Sequence, residues 1–326
     1  MTMTLETVSL LAVYSAMAIY TLAFIAFTVD LARRSAAQPV EEVAEAAPVG
    51  MLAAASGNRA SALVDRLATD APAAAPLKRS RALRLAMGFT VLGWVLHTAG
   101  VVLRGFAAGY APWSNMYGFA ITATAIIVGV FLLVQFWQDL RFLGAYIVGF
   151  CLVFLGLATV NFYVAVTPQP PALQSAWLVI HVFVAILGTS FFALGGGLSV
   201  VQLLQSRREA RGGEGMAFLA TLPNAERLEN LAYRLILIGF VFWTFTLIAG
   251  AVWAERAWGR YWGWDTKEVW TFIIWTIFAG YIHARATRGW RGSRSAWLAI
   301  IGFGAVMFNF TVVNLFFKGL HAYSGL

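Results

Sequence analysis

The chain has 326 residues, of which 60% are hydrophobic and only 12% are charged, with a mean hydropathy of +0.74. A soluble domain carries about 25% charged residues, so the composition excludes one and indicates a polytopic membrane protein. The net charge of +8 is no nucleic-acid footprint, because the cations flank apolar runs instead of sharing one soluble face.

Apolar runs long enough to cross a hydrocarbon core of about 30 Å occur at 8–30, 84–103, 116–137, 143–166, 176–204, 233–254, 268–286 and 295–317. Their length and continuous apolarity favour helices over barrel strands. The expected fold is therefore all-α, a bundle of about eight transmembrane helices. Residues 1–30 hold the first helix, which lacks a basic start and is too long for a signal-peptide core, so it is read as retained. Residues 31–83 begin with the basic flank Arg33 and Arg34, and positions 35–80 are rich in Ala, Pro, Glu and Ser, a low-complexity cytoplasmic linker. Residues 84–326 form a seven-helix membrane domain.

Lys and Arg set the expected orientation. Eighteen of the twenty-three lie in 31–84, 138–142, 205–234 and 285–294, which are assigned to the cytoplasmic side. Arg104, Arg256, Arg260, Lys267 and Lys318 fall on the other side. Both termini, and the loop at 251–270, are then extracytoplasmic. The single cysteine, Cys151, lies within the fourth span. It permits no internal disulfide and no Cys-rich metal site, and packing accounts for it.

Ionisable groups in or beside a bilayer are costly and mark function by default. Of four histidines, His181 lies one or two turns into the fifth helix and His321 just beyond the eighth, both at the extracytoplasmic level. His283 is near the inner end of the seventh helix and His97 at intermediate depth in the second. Two neutral imidazoles at one level, from different elements, can clamp a metal from opposite faces, as in bis-histidine haem ligation. Zinc takes three or four protein ligands, which fits this layer less well. His97 reads as a packing or hydrogen-bonding residue.

Between the sixth and seventh helices the chain reads WGRYWGWDTKEVW. Five of thirteen tryptophans, Trp253, Trp258, Trp262, Trp264 and Trp270, crowd this region. Any one of them could be an interfacial anchor, but an anchoring belt would be spread around the perimeter. A concentrated platform suits a large planar ligand such as a porphyrin. Arg256, Arg260 and Lys267 are the nearby cations for its propionates, with lipid headgroup contact as the alternative. Asp265 and Glu268, three residues apart before an apolar run, match a capping box for the seventh helix. A fixed helix start would hold the preceding tryptophans at a set depth.

This stretch resembles the WWD motif of the haem-handling family that includes the CcsA-type subunit (CcsA/ResC, CcsB in some bacteria) of system II cytochrome c synthase and its more distant system I relatives. PPALQSAWLVIH at 170–181, GAVWAERAWGRYWGWDTKEVWTFIIWTIFAGYIHAR at 250–285 and VNLFFKGLHAYSG at 313–325 are similar to that subunit in order and spacing. The resemblance runs from about residue 84 to the C-terminus and favours the CcsA-type member. It implies that His181 and His321 hold haem b beside the tryptophan surface. It also implies that His283 belongs to an inner haem site completed by a ResB/CcsB-type partner membrane subunit. The expected function is presentation of haem at the outer face of a bacterial plasma membrane, for thioether attachment to the Cys-X-X-Cys-His motifs of apocytochrome c. Trp258, Trp262, Trp264, Asp265, Trp270, Arg256 and Arg260 complete the expected site. The family usually has Pro after the motif's aspartate; Thr266 stands here, which should soften the helix start without removing it. A haem exporter or chaperone that takes no part in attachment is the alternative. An ordinary secondary transporter would show inverted repeats and broken midplane helices, and of these only Gly195-Gly196-Gly197 offers a loosened segment.

Overall fold

In the computed structural model, which describes residues 4–36, 80–213 and 215–321, the chain is helical throughout its long elements. Among the described residues there are eight long helices: α1 (Leu5–Ala36), α2 (Arg81–Ala108), α3 (Met116–Val134), α4 (Gly144–Asn161), α5 (Ala176–Ala210), α6 (Ala225–Trp258), α7 (Thr266–Thr287) and α8 (Ser293–Phe308). A π-turn, Asn309–Val313, and a last short turn, Asn314–Phe316, continue α8. The expected linker lies mostly at 37–79, outside the described residues. Its two edges are helical, since α1 runs to Ala36 and α2 starts at Arg81.

Seven of the eight helices are long and apolar enough to cross a membrane. The exception is α7, whose ends carry Lys267, Glu268, His283 and Arg285, leaving a shorter uncharged stretch between them. Several helices outrun their apolar cores. The 35 residues of α5 span about 52 Å, so its last turns, with Arg207 and Arg208, project beyond a hydrocarbon layer.

Side chains at the helix starts satisfy orphan backbone donors. Asn115, Ser175, Asn224 and Asp265 cap α3, α5, α6 and α7 in turn. Two apolar cores follow. One joins α1 to α4 with the adjoining faces of α5 and α6, around Tyr20, Tyr117, Phe131 and Ile147. The other joins α5 to α8, where Phe192 stacks on Phe278 with centroids 3.7 Å apart. Gly195, Gly196 and Gly197 sit buried inside an unbroken α5, covered by Ile236, Phe303 and Tyr146. They admit neighbouring side chains and do not break the helix. His97 is fully buried against Tyr20 of α1, with the hydroxyl 3.4 Å from Nδ1 and the rings edge-on. Cys151 is buried in the first core.

At the end of the bundle where α5 finishes and α6 begins, Arg285 of α7 pairs with Glu229 of α6 at 2.5 Å and donates to Asn230 at 2.7 Å. The other Glu229 oxygen accepts from the Gly292 N–H before α8 at 2.9 Å. One buried carboxylate thus ties three elements. Glu229→Ala, which strands the guanidinium, should destabilise the protein by about 3 kcal/mol, measured as a lowered thermal midpoint of the detergent-solubilised chain; an unchanged midpoint would show that the pair is dispensable.

Candidate functional site

At the opposite end, the helices enclose a cavity lined by His181, Trp253, Trp262, Lys267, Asn309 and His321, among others. It reaches inward along α3 from Met116 to Ile127, about 16 Å of helix rise, between walls that include Phe154, Trp243 and Phe310. Its body is apolar and its polar groups gather near the mouth.

The two histidines expected at one level both reach this cavity. His181, in the second turn of α5, lies against α6: its Nδ1 meets the Thr246 carbonyl at 3.0 Å and its ring stacks on Trp253 at 5.9 Å and 16°. His321, beyond α8, packs edge-on against Trp253 and Trp258, at 5.4 and 4.9 Å. Its Nδ1 meets Asp265 Oδ2 at 2.6 Å. Trp253 therefore touches both imidazoles. Its own N–H donates to the Ala172 carbonyl at 3.0 Å, which fixes the indole plane.

The partners settle the tautomers. A carbonyl oxygen only accepts, so His181 carries its proton on Nδ1. An ionised carboxylate also only accepts, which places a proton on His321 Nδ1 as well. In the neutral ring each Nε2 then keeps a free lone pair, the arrangement found in metal-ligating histidines, whose second ring nitrogen is held by an outer partner.

Asp265 joins the loop, α7 and the C-terminal segment. It caps α7, with Glu268 completing the capping box by accepting from the Asp265 N–H at 3.0 Å and from Gly263 N–H at 2.8 Å. It also accepts from the Leu320 N–H at 2.9 Å and from His321. The hydrogen bond from His321 is the main reason its carboxyl is held down at about 2, below the ordinary 3.8.

Two glycines make this geometry possible. A Cβ at Gly250 would stand 2.7 Å from His181 Cε1, and one at Gly319 would collide with Asp265 Oδ1. Only a residue without a side chain lets the imidazole lie on α6, or the final segment reach the capping carboxylate.

The remaining expected residues separate. Trp262 lines the cavity and meets Trp264 edge-on at 5.7 Å. Trp264 is 77% exposed and holds a φ of 59°, a left-handed conformation that is strained for a bulky side chain. Trp258 buttresses His321, and Trp270 packs on Phe308 of α8 at 4.5 Å. Arg256 lies over the Trp177 ring, and the Arg260 guanidinium fills the space beside Gly263. Neither arginine lines the cavity, whereas Lys267 does. His283 is exposed on α7, near the helix end tied by Arg285 and away from the other two histidines. Sequence reasoning left Trp253 out of the site although it counted that residue in the cluster, and it missed Gly250 and Gly319, which carry no signal in a single sequence.

Comparison with known proteins adds a frame. The family model described as cytochrome C assembly protein matches residues 113–321, ending on His321. The cytochrome c biogenesis protein CcsA of Guillardia theta is 35% identical, the match covering 73% of this chain and 85% of that protein. The CcsA of Synechococcus sp. (strain CC9902) is also 35% identical, covering 70% and 83%. Among solved structures, cytochrome c heme lyase CcmF superposes with a TM-score of 0.62 at 16% identity over 95% of this chain. That likeness is one of fold, and this chain spans 47% of the CcmF chain.

Because the folded Asp265 titrates below its unfolded value, its stabilising contribution is complete above pH 3.8 and fades as pH falls through about 2. The stability difference between wild type and Asp265→Asn should therefore shrink as pH falls from about 4 toward 2, read by thermal unfolding across a pH series; a difference that grew over that range would reverse the sign of this linkage.

Proposed function

We propose that this chain, which belongs to the cytochrome c assembly protein family and serves cytochrome c biogenesis as a multi-pass membrane protein, binds haem b between His181 and His321 and presents it for attachment to apocytochrome c. The observation that carries this reading is the pair of imidazoles touching one tryptophan and lining a largely apolar cavity, each with Nδ1 engaged and, among the described residues, no partner on Nε2.

The donor set suits a macrocycle better than a lone ion. Among the described residues, no three His, Cys, Asp or Glu side chains gather so as to hold a metal. A structural or catalytic zinc needs three or four protein ligands, while an iron already inside a porphyrin asks only for axial donors. The apolar cavity body suits the ring, and Trp253 and Trp262 supply flat walls.

In this reading the protein contributes position. Each substrate thiol adds across a vinyl group, forming a carbon–sulfur bond while its hydrogen goes to the terminal vinyl carbon. The nucleophile belongs to apocytochrome c. His181 and His321 hold the iron, Asp265 keeps His321 oriented, and the tryptophans fix the ring's plane so that a vinyl edge meets the thiols. The concentration of Lys and Arg at the other end of the bundle supports an extracytoplasmic cavity in a bacterial plasma membrane. The exposed position of His283 supports haem entry there, at a surface shared with a ResB/CcsB-type partner subunit.

His181→Ala and His321→Ala should each lower the haem retained by the purified chain by more than about tenfold, since even an outer-shell loss costs roughly 10–100-fold in metal affinity. The oxidised and reduced absorbance spectra check this, and unchanged haem content in both variants would end the ligand assignment. Gly250→Ala, which pushes the His181 ring from its seat, should move the same spectrum while leaving His181 in the sequence. Reconstitution with the partner subunit tests attachment itself. Covalent cytochrome c formed without a separate haem carrier is the expected result; haem passed on without thioether formation would make the chain an exporter.

A further inference from the structure

We propose that Lys267 is the cavity's anchor for a carboxylate on its ligand, an inference that rests on the haem reading and names the residue that recognises the porphyrin's propionate edge. Three local cations are available by sequence, and the structure distinguishes them. Arg256 covers Trp177 and Arg260 fills the space beside Gly263, while Lys267 is the single Lys or Arg among the residues lining the cavity.

Its bonding is incomplete. Nζ donates to the Asn309 carbonyl at 3.0 Å, at the start of the π-turn that ends α8. An ammonium has three donors, and among the described residues Lys267 enters no ion pair. The nearby carboxylates are otherwise engaged. Asp265 accepts from His321 and Leu320, and one Glu268 oxygen accepts from Gly263 and Asp265. Glu268 also lines the cavity, and its second oxygen is buried without a partner among the described residues. It lies more than 4.0 Å from the ammonium, as no salt bridge joins the two. A cation facing an apolar cavity, with a neutral carbonyl as its one acceptor, is costly unless something anionic completes it. A ligand carboxylate entering beside His181 and His321 would do so, and the first turn of α7 adds its own positive end.

The π-turn fits this role. It exposes the Asn309 carbonyl to Lys267 and leaves Asn309 Oδ1 buried without a partner at the same wall. Single π-turns within helices recur at functional sites. Here the turn seats the ammonium without neutralising it.

The test compares iron protoporphyrin IX with its dimethyl ester, in which both carboxylates are capped. Each is titrated into the full-length purified chain and followed by porphyrin absorbance and tryptophan quenching. Wild type should prefer the free acid by about tenfold, the worth of one charge-assisted hydrogen bond. Lys267→Met should reduce that preference to less than about twofold, by weakening the acid and not the ester, and Lys267→Arg should retain it. Equal affinity of wild type for both compounds overturns the proposal without recourse to any variant. Equal weakening of both by Lys267→Met also overturns it, because it would show that the lysine only props α7 against α8. Failure of both porphyrins to bind wild type would overturn the haem reading, and this proposal with it.

Discussion

The carboxylate of Asp265 holds together three parts of the chain that are far apart in sequence. As N-cap it starts α7, through the Leu320 N–H it draws in the segment after α8, and through Oδ2 it orients His321. Without it, His321 would keep its edge-on packing on Trp253 and Trp258 but lose the acceptor that fixes the rotation of its ring. The interaction is strong because the acceptor is charged. It is durable because Glu268 locks the same loop from the other side, through the N–H groups of Gly263 and Asp265. Capping and ligand presentation are one piece of physics here: a helix start with satisfied donors is also a rigid platform.

The rest of the site follows from how an apolar protein tolerates polar groups. Each imidazole has a partner for Nδ1 and, among the described residues, none for Nε2, which leaves one ring nitrogen available without stranding the whole ring. The opposite end of the bundle uses its polar groups differently. Glu229, Arg285 and the Gly292 N–H satisfy each other, so that end is closed structurally and spends its charge on stability. The contrast separates a site from a brace: both contain buried charge, but Glu229 and Arg285 are paired with each other, whereas Lys267 beside the cavity enters no ion pair among the described residues.

Much of this was legible in the sequence because it depends on local spacing. Asp265 and Glu268 stand at the interval a capping box requires, and the capping box forms. His181 stands just inside the outer end of one apolar run and His321 just beyond the end of another, and both rings pack on Trp253. What escaped depends on rotation about a helix axis and on close approach. Arg256, Arg260 and Lys267 are equivalent by position, yet helical phase and loop path put only the lysine on the cavity wall. Gly250 and Gly319 matter for what a Cβ would strike, which no spacing reveals. The prominent pair Trp262 and Trp264 looked equal as well. In the fold one lines the cavity and the other turns outward on a left-handed backbone.

That outward tryptophan bears on how a ligand could leave. A bulky residue held at φ 59° stores strain that its surroundings must enforce, and here those surroundings are the Trp262 ring and the loop clamped by Glu268. Glu268 holds the N–H groups on both sides of Trp264, those of Gly263 and Asp265, so the backbone there is fixed while the indole stays exposed. In the proposed function, an incoming peptide meets this exposed aromatic surface beside the cavity-lining Trp262. His181 and His321 then hold the ring while Trp264 and Trp262 offer an aromatic surface beside it.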